Sequence, residues 1–198
     1  MGEGQKPLRA DARRNRERVL RIAQAALASD GLAISFDEIA RRAGFGVGTV
    51  YRHFPTKEAL FEAVLLDRIE RLVADARALA LADDPVEAFL GFFAAAVGQV
   101  ATNQALRDAL GNSTGLGFKA STTLEDDFND ALGRLLRRAQ QAGAIRDDLD
   151  AADVKDLLIG TVTAERRAHD RAPDRADGRA TSGRLTSTVC DGMRTHPR

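Results

Sequence analysis

Tryptophan is absent from these 198 residues, and there are only one cysteine, one tyrosine, two methionines and five prolines. With Cys190 alone, no intramolecular disulfide and no paired-thiol metal site can form, as expected of a chain working in a reducing cytoplasm. A lone cysteine so late in a chain is read as a small packed residue rather than a redox sensor. The three histidines, His53, His169 and His196, are scattered and make no His-Glu-x-x-His pair. There is no Gly-Lys dipeptide and hence no phosphate-cradling loop, and Gly44, Gly46 and Gly48 neither match a dinucleotide fingerprint nor follow a strand. The acidic pairs Asp83-Asp84, Asp126-Asp127 and Asp147-Asp148 fall at expected helix starts or loops, where capping accounts for them. No enzyme, metal or cofactor is expected. Apolar runs stay well short of the roughly 20 residues that a membrane span needs, and the polar first residues do not read as a signal peptide.

Net charge is also missing: 29 Lys and Arg balance 29 Asp and Glu. The balance is uneven along the chain. Residues 1–60 carry eleven basic side chains against seven acidic ones, which leaves +4 there and −4 in the remainder. A modestly basic head on an acidic body suits a protein that neutralises phosphates with one end only. Hydrophobic residues make up 44% of the chain, enough for one packed core or two small ones.

Residues 35–54, SFDEIARRAGFGVGTVYRHF, are the most informative segment. Ser35 with Glu38 three positions on reads as a capping box opening a short helix. Ala40 falls where two helices approach closely, and Gly44 sits where a helix end needs a left-handed residue. Val47, Val50 and Phe54 then recur at three and four, giving a second helix an apolar face. Its other face presents Gly48, Thr49, Arg52 and His53, with Tyr51 at the edge. Small and hydrogen-bonding groups of this kind meet phosphates and base edges when such a helix enters a major groove. Upstream, an alanine-rich helix over 9–29 has a stripe of Val19, Ile22, Ala23, Ala26 and Leu27 to pack on the hairpin. Met1–Leu8 reads as a loose arm, and Arg16 and Arg18 as a solvated helix face. Downstream, Thr56 caps a further helix whose first residue, Lys57, opposes the helix dipole; such a cation is either eased by a phosphate nearby or simply a solvated lysine.

The run GVGTVYRHFPTKEAL over 46–60, with FDEIARRAG at 36–44 and a length near two hundred, resembles the tetracycline-repressor (TetR) family. The resemblance is strong over about residues 9–65 and rests beyond them on length and helical character. It implies a homodimeric, all-helical repressor that leaves its operator when the C-terminal domain binds a small molecule. Carried onto this chain, Thr49, Tyr51 and His53 match DNA-contacting positions of the recognition helix. Lys57 and Ser35 match phosphate contacts. Gly48 and Arg52 lie at base-reading positions, which vary among members, and Gly48 has no side chain with which to read a base.

The rest of the chain reads as helix over 57–81, 84–102, 103–110, 121–142 and 150–168, with loop at 111–117. The class is therefore all-α, with a helix-turn-helix domain over 1–56 and a ligand-binding and dimerisation bundle over 57–198. Phe89, Phe92, Phe93, Phe118 and Phe128 are candidate walls of a ligand pocket, Phe92 pointing partly away from the face shared by Phe89 and Phe93. Asn103, Gln104 and Thr163 are candidate polar contacts. Of the final pair of helices, from which the resemblance implies a dimer interface, 150–168 is the first. His169–Arg179 reads as a polar linker, and Leu185, Val189 and Met193 recur at four-residue steps in a last, weakly helical segment rich in Ser and Thr. The competing expectation is a helical ligand-binding or interaction module with no specific DNA binding.

Overall fold

The computed structural model of the chain describes residues 5–30, 33–101, 122–171 and 183–195. Helices are the regular elements among them: α1 (Gln5–Asp30), α2 (Phe36–Ala43), α3 (Val47–His53), α4 (Lys57–Leu79), α5 (Pro85–Ala101), α6 (Thr122–Gln141), α7 (Ala151–Arg171) and α8 (Arg184–Met193). The all-α expectation holds. The expected helix over 103–110, the loop at 111–117 and Phe118, Asn103 and Gln104 lie outside the described residues. Two expectations shift. Helix α1 begins at Gln5, so the arm is shorter than expected; Pro7 falls in the first turn, where its missing N–H breaks no helical bond. Helix α7 runs on to Arg171, through the first residues of what reads as a linker.

The chain packs as two compact units, with Asp67 in the first and Arg68 beginning the second. In the first, α1, α2 and α3 pack against one another around Val19, Ala23, Ala26, Leu27, Ile39, Ala40, Ala43, Val50 and Phe54, all buried. Ala40 is 3% exposed, as its place between two close helices requires.

In the second unit α5 packs on α6, α7 and α8, while α7 also meets α6 and α8. Its core runs from Leu72 and Val73 through Phe89, Phe92, Phe93, Leu132, Leu135, Leu136 and Val154 to Met193. Two of its helix starts carry caps of their own. The Asp84 carboxylate accepts from the N–H groups of Val86 and Glu87 at 3.0 Å, opening α5. Asp150 and Asp153 each accept from the other's backbone N–H, a reciprocal box at the start of α7. The chain end is held down as well: Arg146 N–H donates to the Met193 carbonyl and Thr195 N–H to that of Ala144, both at 3.0 Å.

Candidate nucleic-acid interface

The two short helices are set by local chemistry. The Ser35 hydroxyl oxygen accepts from the Glu38 N–H at 3.2 Å and so caps α2. The other half of the expected capping box does not form. The Glu38 carboxylate turns to Arg41 at 2.7 Å and Arg42 at 2.6 Å, because two guanidiniums one turn along outcompete a single amide. These bonds hold the Glu38 carboxyl at about 2, well below the usual carboxylate range. Arg42 reaches Asp30 at the end of α1 too, linking α1 to α2.

Gly44 ends α2 at φ 72°, and its N–H donates back to Arg41 while Phe45 N–H donates to Ala40. That left-handed turn is where a side chain other than glycine is strained. It redirects the chain into α3. Val50 is fully buried and Phe54 nearly so, while Val47 is only half-buried. With its apolar side anchored, α3 turns the remaining residues outward. Gly48 and Arg52 are exposed, Thr49 and His53 half-exposed, and Tyr51 is 52% exposed.

Tyr51 is not loose despite this exposure. Its ring meets Phe36 edge-on, centroids 4.7 Å apart, a contact that holds the ring while about half of the residue stays exposed. Gly48 is open: a Cβ built there would meet nothing within 4 Å. Packing within the protein therefore does not demand glycine at this position. Thr56 caps α4 by accepting from Ala59 N–H at 3.1 Å, and Lys57 lies exposed in the first turn.

Two arginines of α1, which the sequence reads as a solvated face, are exposed as expected and also sit over aromatic rings. The Arg16 guanidinium lies 5.0 Å from the centre of the Phe54 ring, and that of Arg18 lies 5.4 Å from the centre of Phe45. Both stay exposed, each with its guanidinium set over an aromatic ring. The sequence signal was weak, since the partners are 38 and 27 positions away. Burial, and then the charges of Arg16 and Arg52, push the His53 imidazole below its ordinary 6.5. Arg16 and Arg52 thus stand near the His53 imidazole, and Arg18 and Lys57 are further exposed cations of the same unit.

The candidate ligand-pocket residues fall elsewhere. Phe89, Phe92 and Phe93 are all buried in the core of the second unit, Phe92 no less than its neighbours, and Phe128 packs half-buried against them. Helix α5 meets three other helices, so more than one of its faces is covered. The Thr163 hydroxyl donates to the Ile159 carbonyl one turn back. Two surface grooves lie beside other residues. One of about 730 Å³ runs between α7 and α8 past Leu157, Gly160, Leu185 and Val189. The other, of about 400 Å³, runs between α5 and α8. No group of three or more possible metal ligands occurs among the described residues, and none of the described helices is long and apolar enough to cross a membrane.

Comparison with known proteins agrees with this geometry. Residues 19–64 match the family of bacterial regulatory proteins, tetR family. Residues 84–195 match the C-terminal domain family described as transcriptional regulator SbtR-like. A TetR transcription regulatory protein from Mycobacterium vanbaalenii is 43% identical, with a TM-score of 0.69 over 96% of this chain and 100% of that one. The TetR transcriptional regulator SCO0520 from Streptomyces coelicolor is 30% identical, with a TM-score of 0.69 over 92% and 99%. The HTH-type transcriptional regulator UidR of Escherichia coli strain K12 is 26% identical over 83% of this chain and 88% of its own.

Proposed function

Since this chain belongs to the TetR family of transcriptional regulators, with a helix-turn-helix DNA-binding domain at its N-terminal end, we propose that it is a homodimeric repressor released from a palindromic operator by a small molecule. The observation that carries the DNA half is the outward face of α3. Gly48, Thr49, Tyr51, Arg52 and His53 are exposed or half-exposed on a helix whose opposite side is buried. In this reading Thr49, Tyr51 and His53 meet base edges and nearby phosphates, and Arg52 supplies charge. Gly48 lets the helix backbone come close to the groove floor. Ser35 and Lys57 bind phosphates from the starts of α2 and α4, the Ser35 hydroxyl donating its proton while its oxygen keeps the cap.

The dimer reading is supported by apolar residues left at the surface of the last two helices. Ile159 is 45% exposed, and Leu157, Leu158, Leu185 and Val189 are only partly covered. A second copy would cover them and set two recognition helices about 34–36 Å apart, one turn of duplex. Ligand release is supported by family membership and by grooves of small-molecule size in the second unit.

A footprint of the purified protein on the DNA beside its own gene, with a scrambled duplex in excess, tests the proposal. A protected palindrome that survives the competitor is expected. No protection at low salt by folded protein would overturn the operator reading in favour of a helical ligand module.

A further inference from the structure

Helix α8 begins without a cap of its own. Its N-cap residue, Gly183, has no side chain to offer, yet the backbone N–H groups of Gly183 and Thr186 both find an acceptor. The Glu165 carboxylate of α7 supplies the acceptor. Its Oε1 takes the N–H of Gly183 at 3.0 Å, the N–H of Thr186 at 3.2 Å and the Thr186 hydroxyl at 3.0 Å. One oxygen is thus fully used. The other, Oε2, is buried and has no hydrogen-bond partner among the described residues, on a side chain whose residue is only 4% exposed. A buried carboxylate oxygen without a donor is costly, and a donor brought to it recovers that cost.

Glu165 lines the groove of about 400 Å³ between α5 and α8. The groove is open because Gly91 and Gly98 stand along its α5 wall, where an added Cβ would meet nothing within 4 Å. Leu90 and Val97 give the wall an apolar character. The charged lining is Glu87, Asp191 and Glu165 against Arg194 alone, an excess of carboxylate. From this juxtaposition we infer that the α5–α8 groove is a binding site for a small primary ammonium ion with a short apolar body, its ammonium group donating to Glu165. The ammonium group is drawn by the acidic lining toward Glu165, whose Oε2 lacks a donor, and the body rests on Leu90 and Val97. A neutral hydroxyl could donate to Oε2 but would gain nothing from the lining charge.

Titration of the full chain, without DNA, with benzylammonium and separately with benzyl alcohol tests this directly by calorimetry or ligand-observed NMR. Benzylammonium is expected to bind about tenfold or more tightly than the alcohol, as befits a charge-assisted hydrogen bond. In Glu165→Gln the amide oxygen still accepts from α8, and the preference is expected to shrink to within about twofold. If circular dichroism shows that this variant loses α8, Gly98→Leu decides instead, since it fills the groove in open space and is expected to abolish binding with the helices intact. Equal affinity for the two probes, no binding of benzylammonium to the wild type, or binding that survives Gly98→Leu would each overturn the assignment. Because the readout involves no DNA, any of these outcomes leaves the operator reading standing.

Discussion

The guanidinium of Arg16 lies 5.0 Å from the centre of the Phe54 ring, and its charge helps hold the neighbouring His53 imidazole below 6.5. A helix of the scaffold thereby adds to the downward shift of the residue that precedes Phe54. Burial is the larger cause, and Arg52 adds to it.

A pH dependence follows from this. In the proposed complex, DNA phosphates near His53 would favour the imidazolium, so that its pKa would be higher than in the free protein and binding would take up a proton. Operator affinity is expected to rise as pH is lowered from about 8 toward 6. His53→Gln is expected to flatten that dependence, which anisotropy titrations across this range will show. The sign for folding is opposite. The folded pKa is depressed below 6.5, so the neutral form's contribution is complete above 6.5 and is lost as pH falls toward the folded value. Thermal stability of the free protein is therefore expected to dip on acidification, and less so in the glutamine variant.

Tyr51 separates reading from packing. Its ring leans on Phe36, yet about half of the residue is exposed. Tyr51→Phe keeps the ring pair and is expected to leave the melting temperature within about a degree of wild type while weakening operator binding by roughly 1 kcal/mol or more. Tyr51→Ala is expected to lose the affinity and in addition roughly 1 kcal/mol of stability from the lost ring contact. Unchanged operator affinity in both variants would remove Tyr51 from the interface.

Gly48 offers a test in the opposite direction. Glycine near the start of an exposed helix costs about 0.5–1 kcal/mol relative to alanine, and nothing within 4 Å opposes a Cβ there. Gly48→Ala is expected to raise the melting temperature and yet to weaken operator binding, because the methyl group holds the helix backbone off the groove. A gain in both would show that the glycine has no part in recognition.

Lys57 is assigned to a phosphate rather than a base. Lys57→Ala is expected to weaken binding to all duplexes alike and to reduce the slope of log K against log salt by about one unit. A loss confined to the operator would place the lysine at a base edge instead.

Much of the first unit is legible in the sequence because its determinants are local. Ser35 caps three residues on, Gly44 turns one helix into the next, and Val50 and Phe54 follow the helical period. What escaped was non-local. No spacing announces that Glu165 caps a helix whose N-cap residue, Gly183, lies 18 positions later, across residues that read as a polar linker. Nor does any spacing show that Arg138 of α6 donates to the carbonyls of Ala80 and Ala82 at the turn after α4. The local capping pattern at Ser35 itself misled in part. Glu38 had Arg41 and Arg42 within a turn, and charge-assisted bonds won over the box. For α5, a face assignment by periodicity placed Phe92 apart from Phe89 and Phe93, but a helix covered by three neighbours buries all of them.

The most direct test of the account is the ratio of affinities for the footprinted palindrome and a scrambled duplex, measured by fluorescence anisotropy at about 0.15 M salt. A preference of about a thousandfold or more for the palindrome, with two chains bound per duplex, is the expected result. Equal affinities for the two duplexes, both falling steeply with salt, would contradict it and leave only non-specific attraction between a basic head and DNA.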